Sequence, residues 1–255
     1  MKIIYCGFGR AGLECLYQLL CEFKINSDEL MVFTHDTKEN EEFLTHLKYN
    51  NIEYTFDNVN EHVENLIAFN PEYLISIYYR YIVYTDILKC VNYRAMNLHP
   101  SLLPTYRGTK SSVWALINEE KYTGITFHYM NEKIDDGNII LQEKIPIQQE
   151  DSAFSLYHKL IGVFSQKFNK AFNLLIDNFE GTKQKGEISY YSRKLPFNGM
   201  LKFSEIDYQE AENFIRAMYF PPYQGALFEN NDGKVVEIQN VKKLVKYKNL
   251  IGKKA

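Results

Sequence analysis

The sequence predicts an α/β protein: a mostly parallel sheet with helices on both faces, followed by a small, mainly β C-terminal subdomain. Three observations carry that expectation. Short apolar runs alternate with stretches of helical periodicity up to about residue 178. A glycine-rich turn joins the first run to the first helix. Beyond a polar Gly/Lys stretch at 181–186 the pattern changes to Pro- and Gly-punctuated alternation.

Taken in order, residues 2–6 form a short apolar run that ends in GFGRAG at 7–12. Residues 11–23 then carry Leu13, Leu16, Leu19 and Leu20 at helical spacing, so strand, glycine turn and helix follow one another in the Rossmann-like manner. Residues 30–34 read as a second buried strand, 38–49 and 60–69 as helices, and 73–78 as a strand after Pro71. This alternation implies parallel strands covered on both faces. Residues 93–99 form the next strand, stopped at Pro100, and 110–118 a helix. Residues 124–130 and 138–145 are two strands around the loop 131–137, and Asp151 or Ser152 caps a long helix reaching about residue 178. A boundary near Lys185 divides the chain into 1–185 and 186–255. The second part holds a helix over 208–218 and an alternating run, 234–245, that reads as antiparallel β.

The 255 residues carry 29 Lys+Arg against 32 Asp+Glu, a net charge of −3. That balance argues against a nucleic-acid partner and leaves any anionic ligand to a local basic cluster. Four cysteines without a CxxC pair read as buried apolar side chains in a reducing, cytoplasmic setting. The most apolar stretch, 74–84, is short and interrupted by Arg80, so no membrane span is expected. At the N-terminus, Arg10 and Glu14 break what would otherwise resemble a signal peptide. Aromatic content is 15%, with 20 Tyr and 17 Phe, and such clusters also suit flat ligands.

Three stretches could carry chemistry. GFGRAG at 7–12 has dinucleotide-turn spacing, with Asp36 placed as a ribose-binding acid, so an NAD(P)-dependent oxidoreductase stands as a rival. Any tight strand-to-helix turn also favours glycine. In MNLHP at 96–100, Asn97 and His99 project from the same face of an extended chain, and Pro100 puts them at the carboxyl edge of the sheet. An amide and an imidazole there can stabilise an oxyanion and manage a proton, or simply satisfy local backbone. NEKIDDG at 131–137 supplies carboxylates or an ordinary solvated turn. A metal set of His99, His128, Asp135 and Asp136 lacks recognisable ligand spacing, and no metal is expected.

MNLHPSLLPTYRG at 96–108, continued by SVWALIN at 112–118, resembles the signature of folate-dependent formyltransferases. GITFHYMNEKIDDGNII at 124–140 resembles the second signature of that family, in the same order and spacing. The likeness covers about residues 1–180. Purine-pathway, initiator-tRNA and nucleotide-sugar enzymes all belong to that family. FIRAMYFPPYQGALF at 214–228 and YYSRKLP at 190–196 are similar to the short tail of the nucleotide-sugar N-formyltransferases, most like those acting on dTDP-amino sugars. The purine-pathway and methionyl-tRNA enzymes remain alternatives.

The resemblance implies transfer of a formyl group from N10-formyltetrahydrofolate to the amine of a dTDP-linked amino-deoxy sugar, for O-antigen-type surface polysaccharide. Asn97, His99 and Asp135 match the catalytic Asn, His and Asp. His99 would act as base, Asn97 as oxyanion donor, and Asp135 as the group that orients His99. Asp136 takes the family's variable position and is given no chemistry. Tyr79, Arg80, Tyr81 and Ile82 match the segment whose backbone meets the pterin, with Asp135 also on the folate side. Arg107, Lys110, Trp114, Arg216, Phe220 and Tyr223 are the candidates for the nucleotide, and a homodimer is expected. Two positions depart from the family pattern: Asn131, where an acid is usual, and Thr109–Lys110, where small or apolar residues are usual.

Overall fold

A computed structural model describes residues 1–252. The chain runs β1 (Ile3–Gly7), α1 (Gly9–Cys21), β2 (Leu30–Phe33), α2 (Glu41–Tyr49), β3 (Tyr54–Thr55), α3 (Val63–Phe69), β4 (Tyr73–Ile77), α4 (Thr85–Cys90) and β5 (Ala95–His99). It continues through β6 (Arg107–Gly108), α5 (Ser111–Ile117), β7 (Tyr122–Tyr129), β8 (Ile139–Pro146) and α6 (Ala153–Ile176). The last part comprises β9 (Tyr190–Tyr191), β10 (Met200–Lys202), α7 (Tyr208–Met218), β11 (Ala226–Glu229) and β12 (Val235–Ile238).

Seven strands form the central sheet in the order β3-β2-β1-β4-β5-β7-β8. From β3 to β5 all pairs are parallel, whereas β7 joins β5, and β8 joins β7, antiparallel. The strand order reverses between β1 and β4, and the crevice beyond the carboxyl ends at such a reversal is where open sheets bind ligands.

Residue alternation along the strands sorts the core into two layers. Ile3 and Tyr5 of β1, with Met96 and Leu98 of β5, pack against α1, α2 and α6 through residues such as Leu16, Phe43 and Phe164. Ile4 and Cys6, with Ala95, face Leu66 of α3 and Ile87 and Leu88 of α4. Asn97 and His99 therefore point to the α3/α4 side, away from the large aromatic layer. The α6 N-terminus carries the expected cap: the Ser152 hydroxyl accepts from the Ser155 amide and the Ser155 hydroxyl accepts from the Ser152 amide. A cap of this kind contributes about 1 kcal/mol.

A separate apolar cluster forms the C-terminal unit, with Phe203 stacked on Phe228 at 4.7 Å and Phe214 beside them. Here β10 runs parallel to β11 and β12 antiparallel to it. The alternating run expected over 234–245 is strand only at Val235–Ile238. Past it the Asn240 side chain accepts from the Lys242 amide, and Val241–Leu250 winds as a 3-10 helix. Val241, Leu244, Tyr247 and Leu250 recur every third residue, the repeat of that helix, and all four join the cluster. β3 and α4 were not foreseen in the sequence. Among the described residues no helix is long and apolar enough to cross a membrane.

Candidate active site

β5 carries the first two groups to the sheet edge. Antiparallel pairing with β7 sets Asn97 opposite His128 and His99 opposite Thr126. Directly opposed residues share a face, so the Asn97 Nδ2 and His128 Nε2 atoms meet at 3.1 Å. His128 donates from Nδ1 to the Tyr129 carbonyl at 2.7 Å, which leaves Nε2 as the acceptor for Asn97. One N–H of the Asn97 amide is thereby used, and Asn97 itself is half-buried.

His99 is 4% exposed and donates from Nε2 to the Tyr106 carbonyl at 2.7 Å. Its Nδ1 faces Asp135 Oδ2 at 3.4 Å. The loop 130–138 delivers that carboxylate, with Asp135 in the left-handed region at φ 54°. Gly137 makes the turn possible, because a Cβ there would lie 1.8 Å from the Tyr129 carbonyl oxygen. The Gly108 amide donates to Asp135 Oδ2 at 2.8 Å, and His128 Nε2 lies 3.5 Å from Oδ1. Gly108 is equally constrained: at φ 91°, its Cβ would fall 2.2 Å from the Tyr191 carbonyl oxygen.

Burial pulls the His99 pKa below 6.5 against the opposing charge of Asp135, so the imidazole rests neutral at pH 7. Burial alone would raise Asp135, but the two imidazoles and the Gly108 amide outweigh it and bring the carboxyl down to about 2. A buried carboxylate thus lies beside a neutral imidazole whose Nδ1 can take a proton and form an ion pair in the same step. Asn97, His99 and Asp135 converge as the sequence suggested, with His128, weighed in the sequence only as part of a metal set, as a fourth member. Its signal was the period-two alternation of 122–129 combined with the pairing to β5, which requires a register that no local pattern shows.

The loop after β4 lies at the same edge, since Ser76 and Ile77 pair with Asn97 and Leu98. The Arg80 amide donates to His35 Nε2 at 3.0 Å, and the Ile82 carbonyl accepts from Asn60 at 2.7 Å. Tyr79 stacks on His35 at 4.9 Å and Tyr81 meets the same ring edge-on at 5.0 Å. The side chains of Tyr81 and Ile82 are exposed. His35, an organiser that the sequence reading missed, is drawn down to about 4 by burial and by the Arg80 and Arg193 guanidiniums, so it serves as a neutral acceptor. The Arg80 guanidinium lies 3.9 Å from the Phe8 ring in the glycine turn, and Arg193 donates to the Arg80 carbonyl.

The residues expected at the nucleotide divide into two sets. Arg107 is 8% exposed and is held by Asp136 at 2.6 Å and Gln184 at 2.7 Å, so its charge is already paired within the protein. Arg216 donates to the carbonyls of Gln149 at 2.8 Å and Asp151 at 3.2 Å, and to Asn213 at 2.8 Å, clamping α7 to the segment before α6. Trp114 packs on Tyr191 at 4.7 Å and on Phe197, which occupies its ring with protein neighbours. All three thus have protein neighbours in this structure, with Arg216 and Trp114 half-buried and the Trp114 Nε1 without a hydrogen-bond partner among the described residues. Lys110 is exposed, and among the described residues it has no ion-pair partner. Phe220 rests edge-on against Phe154 and Tyr157, while the half-exposed Tyr223 donates its hydroxyl to Glu39. Tyr219 through Tyr223, with Gly225 and Gln239, line a groove of about 190 Å³.

Residues 26–170 match the formyl transferase family (Formyl_trans_N). The chain is 36% identical over 245 residues to the GDP-perosamine N-formyltransferase of Brucella melitensis biotype 1, covering 94% of this chain and 93% of that protein. Among solved structures it resembles WlaRD, a sugar 3N-formyl transferase crystallised with dTDP and 5-N-formyl-THF. The TM-score is 0.75 at 26% identity, over 89% of this chain and 82% of that one. An N-formyltransferase from Helicobacter canadensis in complex with folinic acid and dTDP-3-aminofucose gives 0.71 at 25% identity, over 89% and 83%. The chain belongs to the formyl transferase family. It is an N-formyltransferase, and the nicotinamide reading of the glycine turn gives way to that membership.

Proposed function

We propose that the protein formylates the amine of an amino-deoxy sugar carried on a nucleoside diphosphate, with N10-formyltetrahydrofolate as donor. The observation that carries this reading is the meeting of Asn97, His99 and Asp135 at the carboxyl edge of the sheet, within hydrogen-bonding distance of one another's neighbours. This reading sets the pterin along the backbone of Tyr79, Arg80, Tyr81 and Ile82, in the loop that follows β4, the strand paired with β5. The folate supplies an activated formyl group: the amine nitrogen bonds to its carbon, the carbon–N10 bond then breaks, and tetrahydrofolate leaves with N10 taking up the proton that the amine lost. His99 Nδ1 takes the proton lost by the attacking amine, directly or through a water. Asp135 stabilises the imidazolium as it forms. Asn97 directs its remaining N–H at the oxygen that gains negative charge, where one such donor is worth on the order of 10²–10³ in rate.

On the nucleotide side, Arg80 and Arg193 at the glycine turn take the place of Arg107 and Arg216 as cations for the diphosphate. Lys110, Phe220 and Tyr223 stay as candidates for the sugar and base. The relatives differ in their base: guanosine in the perosamine enzyme, thymidine in the two solved structures. Identity of 36% along nearly the whole chain ranks a GDP-linked amine first and a dTDP-linked amine second, reversing the sequence expectation. Purified protein is incubated with N10-formyltetrahydrofolate and a panel of GDP- and dTDP-linked 3- and 4-amino sugars. A product heavier than the amine by one CO unit supports the reading, and absence of product across the panel refutes it.

A further inference from the structure

The polar stretch after α6, which reads in sequence as a linker, is bonded along its length to the two catalytic loops. Thr182 and Ile139 exchange both backbone hydrogen bonds at 2.8 Å. Ser189 accepts the Arg107 amide at 2.9 Å through its carbonyl and the Tyr106 amide at 2.8 Å through its hydroxyl. β9 then runs parallel to β6. Between these anchors, residues 185–188 are exposed, as are 182 and 183, whereas Gln184 is half-buried with its amide turned inward.

That amide uses both ends. Gln184 Nε2 donates to the Asp135 carbonyl and to the Gly137 carbonyl, each at 2.8 Å. Gln184 Oε1 accepts from Arg107 Nη2 at 2.7 Å, and Arg107 Nη1 pairs with Asp136 at 2.6 Å. The side chain thus holds the main chain of the carboxylate loop on either side of Asp136 and, through Arg107, the residue preceding Gly108. Gly108 is the residue whose amide fixes Asp135 Oδ2. Asp135 itself sits in the left-handed region, a conformation that surrounding contacts must impose on an aspartate.

We infer that Gln184 is a positioning residue that sets the Asp135 carboxylate against His99, so that a segment outside both family signatures completes the active site. The inference rests on the proposed role of Asp135 in formyl transfer. An amide is the one uncharged side chain of this length that can donate twice to carbonyls while accepting from a guanidinium. Glutamate at this position would keep the length and the Arg107 contact and lose both donated bonds.

The test uses the full chain with Gln184→Ala and Gln184→Glu. Both should lower kcat by roughly 10- to 100-fold, the cost of a small misplacement of a reacting group, with KM for folate and amino sugar within about twofold of wild type. In an Asp135→Asn background, Gln184→Ala should cost less than about twofold, because its effect passes through that carboxylate. A purely structural role would cost the same in both backgrounds. Independently of activity, hydrogen exchange at the Gly108 amide should accelerate about tenfold or more in both variants while β1 and β4 amides keep their protection. The inference is overturned by a Gln184→Glu variant with wild-type kcat, by additive losses with Asp135→Asn, or by unchanged Gly108 exchange. The exchange measurement stands even if no amino sugar is formylated, so failure of the proposed function and failure of this inference give different results. If Gln184→Ala does not fold, Gln184→Glu carries the same measurements.

Discussion

The edge of the sheet at β5 and the mouth beside the glycine turn are built on opposite plans. At the edge, Asn97, His99, His128 and Asp135 are buried or half-buried, and fixed partners in neighbouring strands and loops hold them. At the mouth, Phe8, Arg80, Arg193, Glu39 and Tyr223 come from segments far apart in sequence and meet through long side chains, some of them exposed. Charge at the edge is a balance: burial leaves the imidazole neutral, while the two imidazoles and the Gly108 amide keep the carboxylate ionised against burial. Charge at the mouth is set by neighbours: the Tyr223 hydroxyl holds Glu39 down to about 2. On the proposed function, the edge serves a change of charge during reaction and the mouth recognises charge already present on a ligand.

The largest effect should come from the edge. His99→Asn should lower kcat by about 10²–10⁴, with the circular dichroism spectrum and unfolding midpoint retained. A variant that keeps the wild-type rate would remove His99 as base. Asn97→Ala should follow, with a loss on the order of 10²–10³ in kcat and little change in KM, measured by steady-state assay. At the mouth, Arg193→Ala should raise KM for the nucleotide sugar about tenfold and leave kcat nearly unchanged, the loss of one charge-assisted contact. A fall in kcat with constant KM would place Arg193 at the edge instead and dissolve the division.

A subtler measurement sharpens the electrostatics. His99 must be neutral to accept a proton, and burial holds its pKa below 6.5. The rate should therefore persist through pH 6.5 and fall only at lower pH, as His99 becomes protonated. Asp135 opposes that lowering, so Asp135→Asn should move the acid limb of kcat/KM further down in addition to slowing the reaction. An acid limb above 6.5 in the wild type would show that the proton acceptor is not the buried imidazole.

The two plans also explain what the sequence made legible. Strand alternation places Asn97 and His99 on one face without reference to any other segment, and the turn residues of IDDG announce the carboxylate loop. His128 was hidden because its role comes from cross-strand register. The pairing of Arg107 with Asp136 and of Arg216 with backbone carbonyls was hidden because a cation in sequence carries no mark of which carboxylate or carbonyl will claim it. The 181–191 segment was hidden by its composition: Gln184 and Ser189 are ordinary loop residues until their partners are in place. Past Asn240, a spacing of three among Val241, Leu244, Tyr247 and Leu250 passed for an alternation of two.

The contact between position 137 and the Tyr129 carbonyl has a consequence for anyone seeking to redesign this loop. A side chain at 137 has no room, since even a methyl carbon would sit 1.8 Å from that oxygen. The exposed residues Glu132, Lys133 and Ile134 meet no such limit. Randomised libraries of this loop should therefore recover glycine alone at 137 while accepting wide variety three to five positions upstream. Sequence diversity in this loop can be sought at its crown but not at its base.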